Sequence, residues 1–196
     1  MGLPASTGLL QGKGLLHDKV AVVTGAGSGL GREYAIALAA QGALVGVNDF
    51  GAAVTGEQRS PGAAGQVVNE IVSLGGQAAA NTADVSQWGG AESIIDTAIT
   101  AFGRLDIVIN NAGINRPSSL VDLSEHDVDS QLGVHLKGTL AVSHFAAGYW
   151  NALGVQRHCP IVPDGILRCT SVRSSMDRAS DFGSEGWGFE SLRARQ

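Results

Sequence analysis

Several residue types are scarce in the 196-residue sequence, and each shortage argues against a class of protein. There are two cysteines, Cys159 and Cys169, and they fit neither a metal-binding pattern nor a disulfide framework. Acidic residues outnumber basic ones by 18 to 13, so the net charge of −5 gives no reason to propose nucleic acid or an anionic membrane as a partner. No apolar run approaches the roughly 20 residues of a membrane span, and the N-terminus has no signal-peptide core. We therefore expect a soluble cytoplasmic protein without a metal site.

Glycine is abundant, with 28 residues, and apolar residues make up 44% of the chain, enough for one domain with a sizeable core. Between residues 19 and 150 strand-like and helix-like segments alternate, which predicts an α/β fold with a doubly wound parallel sheet. We predict strands over residues 20–23, 43–48, 78–82 and 105–109. We predict helices over residues 32–40, 66–74, 90–102 and 124–150, the last beginning at a Ser124–Asp127 capping box and broken near Gly133.

The first predicted strand leads into a glycine-rich turn, Thr24-Gly25-Ala26-Gly27-Ser28-Gly29-Leu30-Gly31, and a helix-forming run follows. Gly25 permits a sharp turn, Gly29 lets backbone N–H groups approach a pyrophosphate, and Gly31 lets the helix and strand pack closely. The helix N-terminus adds unpaired N–H donors and partial positive charge. Many loops are rich in glycine, but this position between strand and helix favours a dinucleotide site.

Asp49 ends the second predicted strand, 18 positions after Gly31. A dinucleotide-binding acid is expected about 20 residues after the glycines, where it accepts hydrogen bonds from the adenosine ribose and repels a 2′-phosphate. No arginine follows Asp49 closely, so we predict NAD rather than NADP as the cofactor. The alternative is that Asp49 only caps the turn after its strand.

Four segments, taken in order, resemble the short-chain dehydrogenase/reductase family: Thr24-Gly25-x-x-x-Gly29-x-Gly31, Asp49, Asp84-Val85 and Asn110-Asn111-Ala112-Gly113. The resemblance covers residues 17–150 of the 196-residue chain. The Asn-Asn-Ala-Gly element separates it from methyltransferases, which also have a glycine loop after their first strand. Residues 47–51 and 135–138 are similar to the branch that includes the hydroxyacyl-CoA dehydrogenase part of peroxisomal multifunctional enzymes.

This resemblance implies a cofactor site, with NAD as the partner, and in most members a homo-oligomer. The pyrophosphate would be bound by Gly25, Ser28, Gly29, Leu30 and Gly31. The adenosine ribose would be bound by Asp49, and the adenine would lie between Asp84 and Val85. The nicotinamide-side ribose would be held by Asn111, Ala112 and Gly113, which would also brace the middle of the sheet. His135 stands where most members have an asparagine that supports the proton relay, and we leave it out of the catalytic residues.

The family's chemistry also needs a Tyr-x-x-x-Lys pair on one helix and a serine on the preceding strand. Tyr149 is the only tyrosine after the fourth predicted strand, and Lys137 is the last lysine in the chain, so no placement of the pair is possible. Residues 165–171 only faintly resemble the strand that carries the serine. We therefore assign no catalytic residue.

We divide the chain into a lead-in of residues 1–17, an incomplete NAD-binding Rossmann-like domain of residues 18–150, and a tail of residues 151–196. The sheet is predicted to stop after its fourth strand and the helix that follows. The tail has six arginines, no lysine and no clear period. Residues 187–191 back-translate to bases that resemble the T-arm of a transfer-RNA gene, which suggests a shifted reading frame, and the alternative is a divergent tail with its own function.

Three functions are compatible with these features. The first is an NAD-dependent oxidoreductase acting on a secondary alcohol or a 3-hydroxyacyl substrate. The second is an inactive nucleotide-binding fragment of a disrupted dehydrogenase gene. The third is a regulatory partner of a full-length relative.

Overall fold

The parallel sheet predicted from the sequence is present in the computed structural model, which describes residues 14–51, 62–154 and 166–167. Its strands are β1 (Val20–Thr24), β2 (Leu44–Asn48), β3 (Gln77–Asn81) and β4 (Ile107–Ile109). They lie in the order β3-β2-β1-β4. All three pairings between these strands are parallel. The predicted bounds of each strand therefore differ from the observed bounds by no more than two residues.

In the part of the chain that the structure describes, five α-helices connect or cover these strands: α1 (Gly29–Ala40), α2 (Ala63–Ser73), α3 (Trp88–Phe102), α4 (Glu125–Leu132) and α5 (Thr139–Ala152). They lie on both faces of the sheet. On one face Val20, Val22 and Val108 pack against α3 and α5. On the other face Val23 and Val45 pack with α1 and α2. All five residues of β1 are buried, because β1 is covered on both faces, as its continuous apolar run predicts.

The long helix predicted from residue 124 begins and breaks where the sequence indicates. The Ser124 hydroxyl accepts a hydrogen bond from the Asp127 N–H, and the Asp127 carboxylate accepts one from the Ser124 N–H. The predicted break is a π-helical segment, Gly133–Gly138, between α4 and α5. At the far end of α5 the indole N–H of Trp150 donates to the Leu105 carbonyl at 2.8 Å, which ties α5 to the residues before β4.

Among the described residues β4 is the last parallel strand, as predicted, but the outer edge of β4 is paired. A two-residue strand, β5 (Ile166–Leu167), runs antiparallel to it and joins Ile166 with Ile109 and Leu167 with Val108. β5 falls within the faint resemblance at residues 165–171, but its direction is opposite to that of the family's parallel strands. The rest of the predicted tail after residue 154, and the lead-in before residue 14, lie outside the described residues. In the described parts of the chain, no helix is both long and apolar enough to span a membrane.

Candidate dinucleotide site

The glycine turn lies at the carboxyl end of β1 and leads into α1. Gly25 and Gly29 have φ values of +63° and +54°, a backbone conformation that favours glycine. A Cβ atom on Gly31 would lie 2.2 Å from the Gly25 carbonyl oxygen, so α1 packs on the turn too closely for any side chain. Above Gly29, in contrast, no described atom lies within 4 Å of a Cβ position. The turn is therefore tight on its inner side and open on its outer side.

The first turn of α1 has the properties of an anion site. Ser28 is the N-cap residue, and its side chain makes no capping hydrogen bond within the described residues. The first turn contains no acidic side chain that would compete with an anion. Ser28, Gly29 and Leu30 are exposed, whereas Gly31 is buried. A pyrophosphate could therefore reach the unpaired N–H groups and the positive end of the helix.

Asn111 braces the glycine turn from the neighbouring strand end. Its Nδ2 donates to the carbonyl oxygens of Thr24 and Gly25, both at 3.0 Å. The Thr24 hydroxyl in turn accepts from the N–H groups of Asn111 and Ala112, both at 3.1 Å. The segment after β4 is thus fixed to the turn after β1. This geometry supports the bracing role, while contact of Asn111, Ala112 and Gly113 with a ribose stays a prediction.

Asp49 lies beside the glycine turn because β1 and β2 are in parallel register, with Thr24 opposite Asn48. Its Oδ2 accepts a hydrogen bond from the Gly27 N–H at 2.7 Å, and its Oδ1 accepts one from the Gly51 N–H at 2.6 Å. The side chain is half-buried at the rim of the turn. The predicted ribose-binding acid and the predicted pyrophosphate turn therefore share one site.

Asp84 and Val85 follow β3 but use their side chains differently. The Asp84 Oδ1 accepts from the Ser86 N–H at 2.8 Å and shapes the turn before α3. The Val85 side chain is 7% exposed and belongs to the core, where it lies against Gly138. Any contact of Val85 with an adenine would therefore involve its backbone.

Sequence reasoning missed the two asparagines that position this part of the site. Asn48, which is 2% exposed, donates through Nδ2 to the Asn81 Oδ1 at 3.0 Å and to the Ala83 carbonyl at 2.9 Å. Asn81 in turn donates to the Thr97 hydroxyl on α3 at 2.8 Å. This network fixes the segment leading to Asp84 beside Asp49. The sequence does contain a signal for this network, which is an asparagine at the end of each of two successive strands.

His135 holds the chain after the Asn-Asn-Ala-Gly element. It lies in the π-helical segment, and its Nε2 is 2.7 Å from the Ile114 carbonyl oxygen. A Cβ atom on Gly113 would lie 2.7 Å from the imidazole Cε1, so the ring packs directly on the backbone. This contact gives His135 a positioning role in the structure.

The comparison with protein families identifies the group to which this arrangement belongs. The model of the short chain dehydrogenase family matches residues 19–158. The chain belongs to the short-chain dehydrogenase family. It is 50% identical over 139 residues to the peroxisomal multifunctional enzyme type 2 of Drosophila melanogaster and 47% identical over 132 residues to the peroxisomal hydratase-dehydrogenase-epimerase of Saccharomyces cerevisiae. The resemblance to the peroxisomal multifunctional enzymes is therefore confirmed.

These alignments cover 71% and 67% of this chain but only 23% and 14% of the two relatives. The chain thus spans less than a quarter of the length of either one. The names of both relatives include the word peroxisomal, so the cytoplasmic location of this short-chain dehydrogenase stays a prediction.

Solved short-chain dehydrogenases have the same fold. One from Mycobacterium avium superimposes with a TM-score of 0.66 and 45% identity, covering 72% of this chain and 50% of that one. A Burkholderia cenocepacia enzyme in complex with NADP gives 0.61 and 37%, covering 68% and 51%. A 7α-hydroxysteroid dehydrogenase complexed with NADH gives 0.63 and 34%, covering 71% and 51%.

Tyr149, the one tyrosine that follows β4 in the sequence, lies at the opposite end of the sheet from the glycine turn. Tyr149 is in the last turns of α5, beside Trp150. The Trp150 indole N–H donates to the carbonyl of Leu105, just before β4. Tyr149 is therefore at the amino ends of the strands, whereas Asp49 and the glycine turn are at the carboxyl ends. This placement agrees with assigning no catalytic role to Tyr149.

Proposed function

We propose that this chain binds NAD at the carboxyl ends of β1, β2 and β4. The observation that carries the proposal is the half-buried Asp49 carboxylate beside an open glycine turn. The NADH and NADP complexes of the two solved relatives support a nicotinamide dinucleotide as the cofactor. The carboxylate favours NAD, because it accepts hydrogen bonds from ribose hydroxyls and repels a 2′-phosphate.

Two magnitudes support this preference. A hydrogen bond to a charged group contributes about 1.5–3 kcal/mol. Two like charges 4 Å apart repel by about 1 kcal/mol in water and about 4 kcal/mol near a protein surface. The pyrophosphate would be held by the first turn of α1, the adenosine ribose by Asp49, and the nicotinamide-side ribose by the Asn111–Gly113 segment.

From the family relationship we propose that the reaction is oxidation of a secondary alcohol or a 3-hydroxyacyl substrate. A bound nicotinamide would supply the hydride acceptor. The sequence supplies no Tyr-x-x-x-Lys pair to remove the hydroxyl proton, and a positioned acid–base typically contributes about 10²–10⁴-fold. We therefore propose that the chain alone binds the cofactor without catalysing turnover.

Fluorescence titration with NADH tests the binding proposal. The unmodified chain is expected to bind one NADH saturably, and Gly31→Ala to abolish binding, since the added Cβ would lie 2.2 Å from the Gly25 carbonyl oxygen. Gly65→Ala is the matched control, because no described atom lies within 4 Å of its Cβ position. The proposal would be contradicted if the unmodified chain is folded, as judged by circular dichroism, and yet does not bind NADH.

The absence of turnover is tested separately, with NAD and a series of secondary alcohols and 3-hydroxyacyl thioesters. We expect no NADH formation above background. Robust NADH formation by a preparation free of any other dehydrogenase would contradict it.

A further inference from the structure

Two backbone N–H groups from different segments converge on Asp49. The Gly27 N–H, in the glycine turn, reaches Oδ2 at 2.7 Å, and the Gly51 N–H, two residues after Asp49, reaches Oδ1 at 2.6 Å. Backbone N–H groups that point to one place form a concave anion site. Here the anion is the protein's own carboxylate.

We infer that the Gly27 and Gly51 amides form an anion site that Asp49 fills, and that this occupied site selects NAD over NADP. The inference rests on the proposed NAD binding and deepens it. Asp49 then acts in two ways, because its charge repels a 2′-phosphate and its oxygens occupy the donors that such a phosphate would use. Gly27 and Gly51 become specificity-determining residues that contribute through their main chains.

The Gly27 amide is held in place by contacts that do not depend on the Asp49 side chain. The preceding residue, Ala26, donates its N–H to the Asn48 carbonyl at 2.8 Å, which anchors the turn to the end of β2. A Cβ atom on Gly27 would lie 2.6 Å from the Ala63 Cβ at the start of α2, so the backbone is also confined there. Gly51 is buried, with φ of +78°. Removing the carboxylate would therefore leave the Gly27 donor pointing at an empty site and would free the Gly51 donor beside it.

Two substitutions separate the charge from the amide site. Asp49→Asn removes the charge but keeps an oxygen that can accept from one of the two amides. Asp49→Ala removes the charge and frees both amides. If repulsion alone selects NAD, both variants gain the same affinity for NADPH. If the amides form the site, Asp49→Ala gains more, because a phosphate accepts hydrogen bonds from both.

The experiment is a fluorescence titration of the full chain and its variants with NADPH and with NADH. We expect the NADPH affinity of Asp49→Ala to exceed that of the unmodified chain by about tenfold or more, and that of Asp49→Asn by at least about threefold, since hydrogen bonds to charged groups are the strong ones. Asp49→Gly also frees both amides and replaces Asp49→Ala should circular dichroism show the latter to be unfolded. Gly65→Ala, in α2, is the control and should leave both affinities unchanged.

A third variant tests whether the gain comes from the vacated site. Gly27→Ala in the Asp49→Ala background would place a methyl group where a Cβ lies 2.7 Å from the present Oδ2 position. It should abolish the NADPH gain and change NADH affinity less. The inference would be overturned, with the proposed function left standing, by either of two results. One is an equal gain in NADPH affinity in Asp49→Asn and Asp49→Ala, and the other is NADH binding with no gain in NADPH affinity in either variant. A folded, unmodified chain that binds neither dinucleotide would instead contradict the proposed function.

Discussion

At the scale of single residues, side chains that hold backbone segments together matter as much as those that would touch a ligand. Asn111 uses its amide to join the turns after β1 and β4, and Asn48 uses its amide to join the ends of β2 and β3 to the segment before Asp84. A buried carbonyl or amide that loses its partner costs about 1–3 kcal/mol. The candidate site therefore depends on the stability of these polar contacts.

Asn111→Ala is predicted to destabilise the fold by about 1–3 kcal/mol, because the Thr24 and Gly25 carbonyls lose a shared donor. Urea unfolding measures the change. Asn110→Ala is the matched control, since the Asn110 Nδ2 makes a single and longer hydrogen bond, 3.2 Å, to the Ser143 hydroxyl. An equal effect of the two substitutions would contradict the bracing role of Asn111.

Asp106 is predicted to make stability depend on acid pH. Burial acts to raise the pKa of this carboxyl, but hydrogen bonds from the Arg104 guanidinium and the Val20 N–H, with the Arg104 charge, hold the pKa below its ordinary value of 3.8. The unfolded chain therefore binds the proton more readily than the folded chain. The stabilisation is complete above the ordinary pKa and is lost as pH falls through the lower pKa of the folded state.

The measurement is the free energy of unfolding between pH 7 and pH 3, for the unmodified chain and for Asp106→Asn. The variant should lose about 1–3 kcal/mol at pH 7 and show a weaker decline toward acid pH. Asp96→Asn, an exposed carboxylate on α3, should behave like the unmodified chain. Parallel acid profiles of the unmodified chain and Asp106→Asn would contradict the assignment.

At the scale of elements, the helix after β4 has an uncovered apolar face. Leu132, Leu136 and Leu140 recur every four residues and are 50%, 56% and 47% exposed. All three lie within the range 124–150 that the sequence predicts as a helix. Phe145 on the same helix differs, because it packs against the core and meets the Trp88 ring at 5.5 Å.

We predict concentration-dependent association through this leucine stripe, since contiguous exposed apolar side chains favour association. Leu136→Lys should lower the weight-average mass seen by sedimentation at high protein concentration. Leu74→Lys, at an exposed leucine beyond the end of α2, is the control and should have no such effect. Association that is unchanged by Leu136→Lys would exclude the stripe as its cause.

Much of this element-level picture could be predicted from the sequence, for identifiable reasons. The continuous apolar runs of β1 and β2, the Ser124–Asp127 box and the glycine turn depend on neighbours in the chain, and each lies where local rules predict. The contact between Asp49 and Gly27 depends on the β1–β2 register, so spacing could predict only that the two are close. The antiparallel pairing of β5 and the contacts of Asp106 with Lys19 and Val20 join distant segments, and no local pattern indicates either.

At the scale of the whole molecule, the described residues form a well-packed α/β unit, and the sequence contains no Tyr-x-x-x-Lys pair. The two core layers, α1 with α2 and α3 with α5, hold four parallel strands whose carboxyl ends meet at one site. The alignments with solved dehydrogenases cover about half of each. Cofactor binding is accordingly the function that the described residues support by themselves.

Calorimetric titration of the unmodified 196-residue chain with NAD and with NADP tests this account most directly. The account predicts saturable binding of one NAD per chain, about tenfold or more tighter than NADP, because Asp49 gains ribose hydrogen bonds from one and repels the phosphate of the other. Equal affinities, or no binding of either dinucleotide by a cooperatively folded chain, would contradict it.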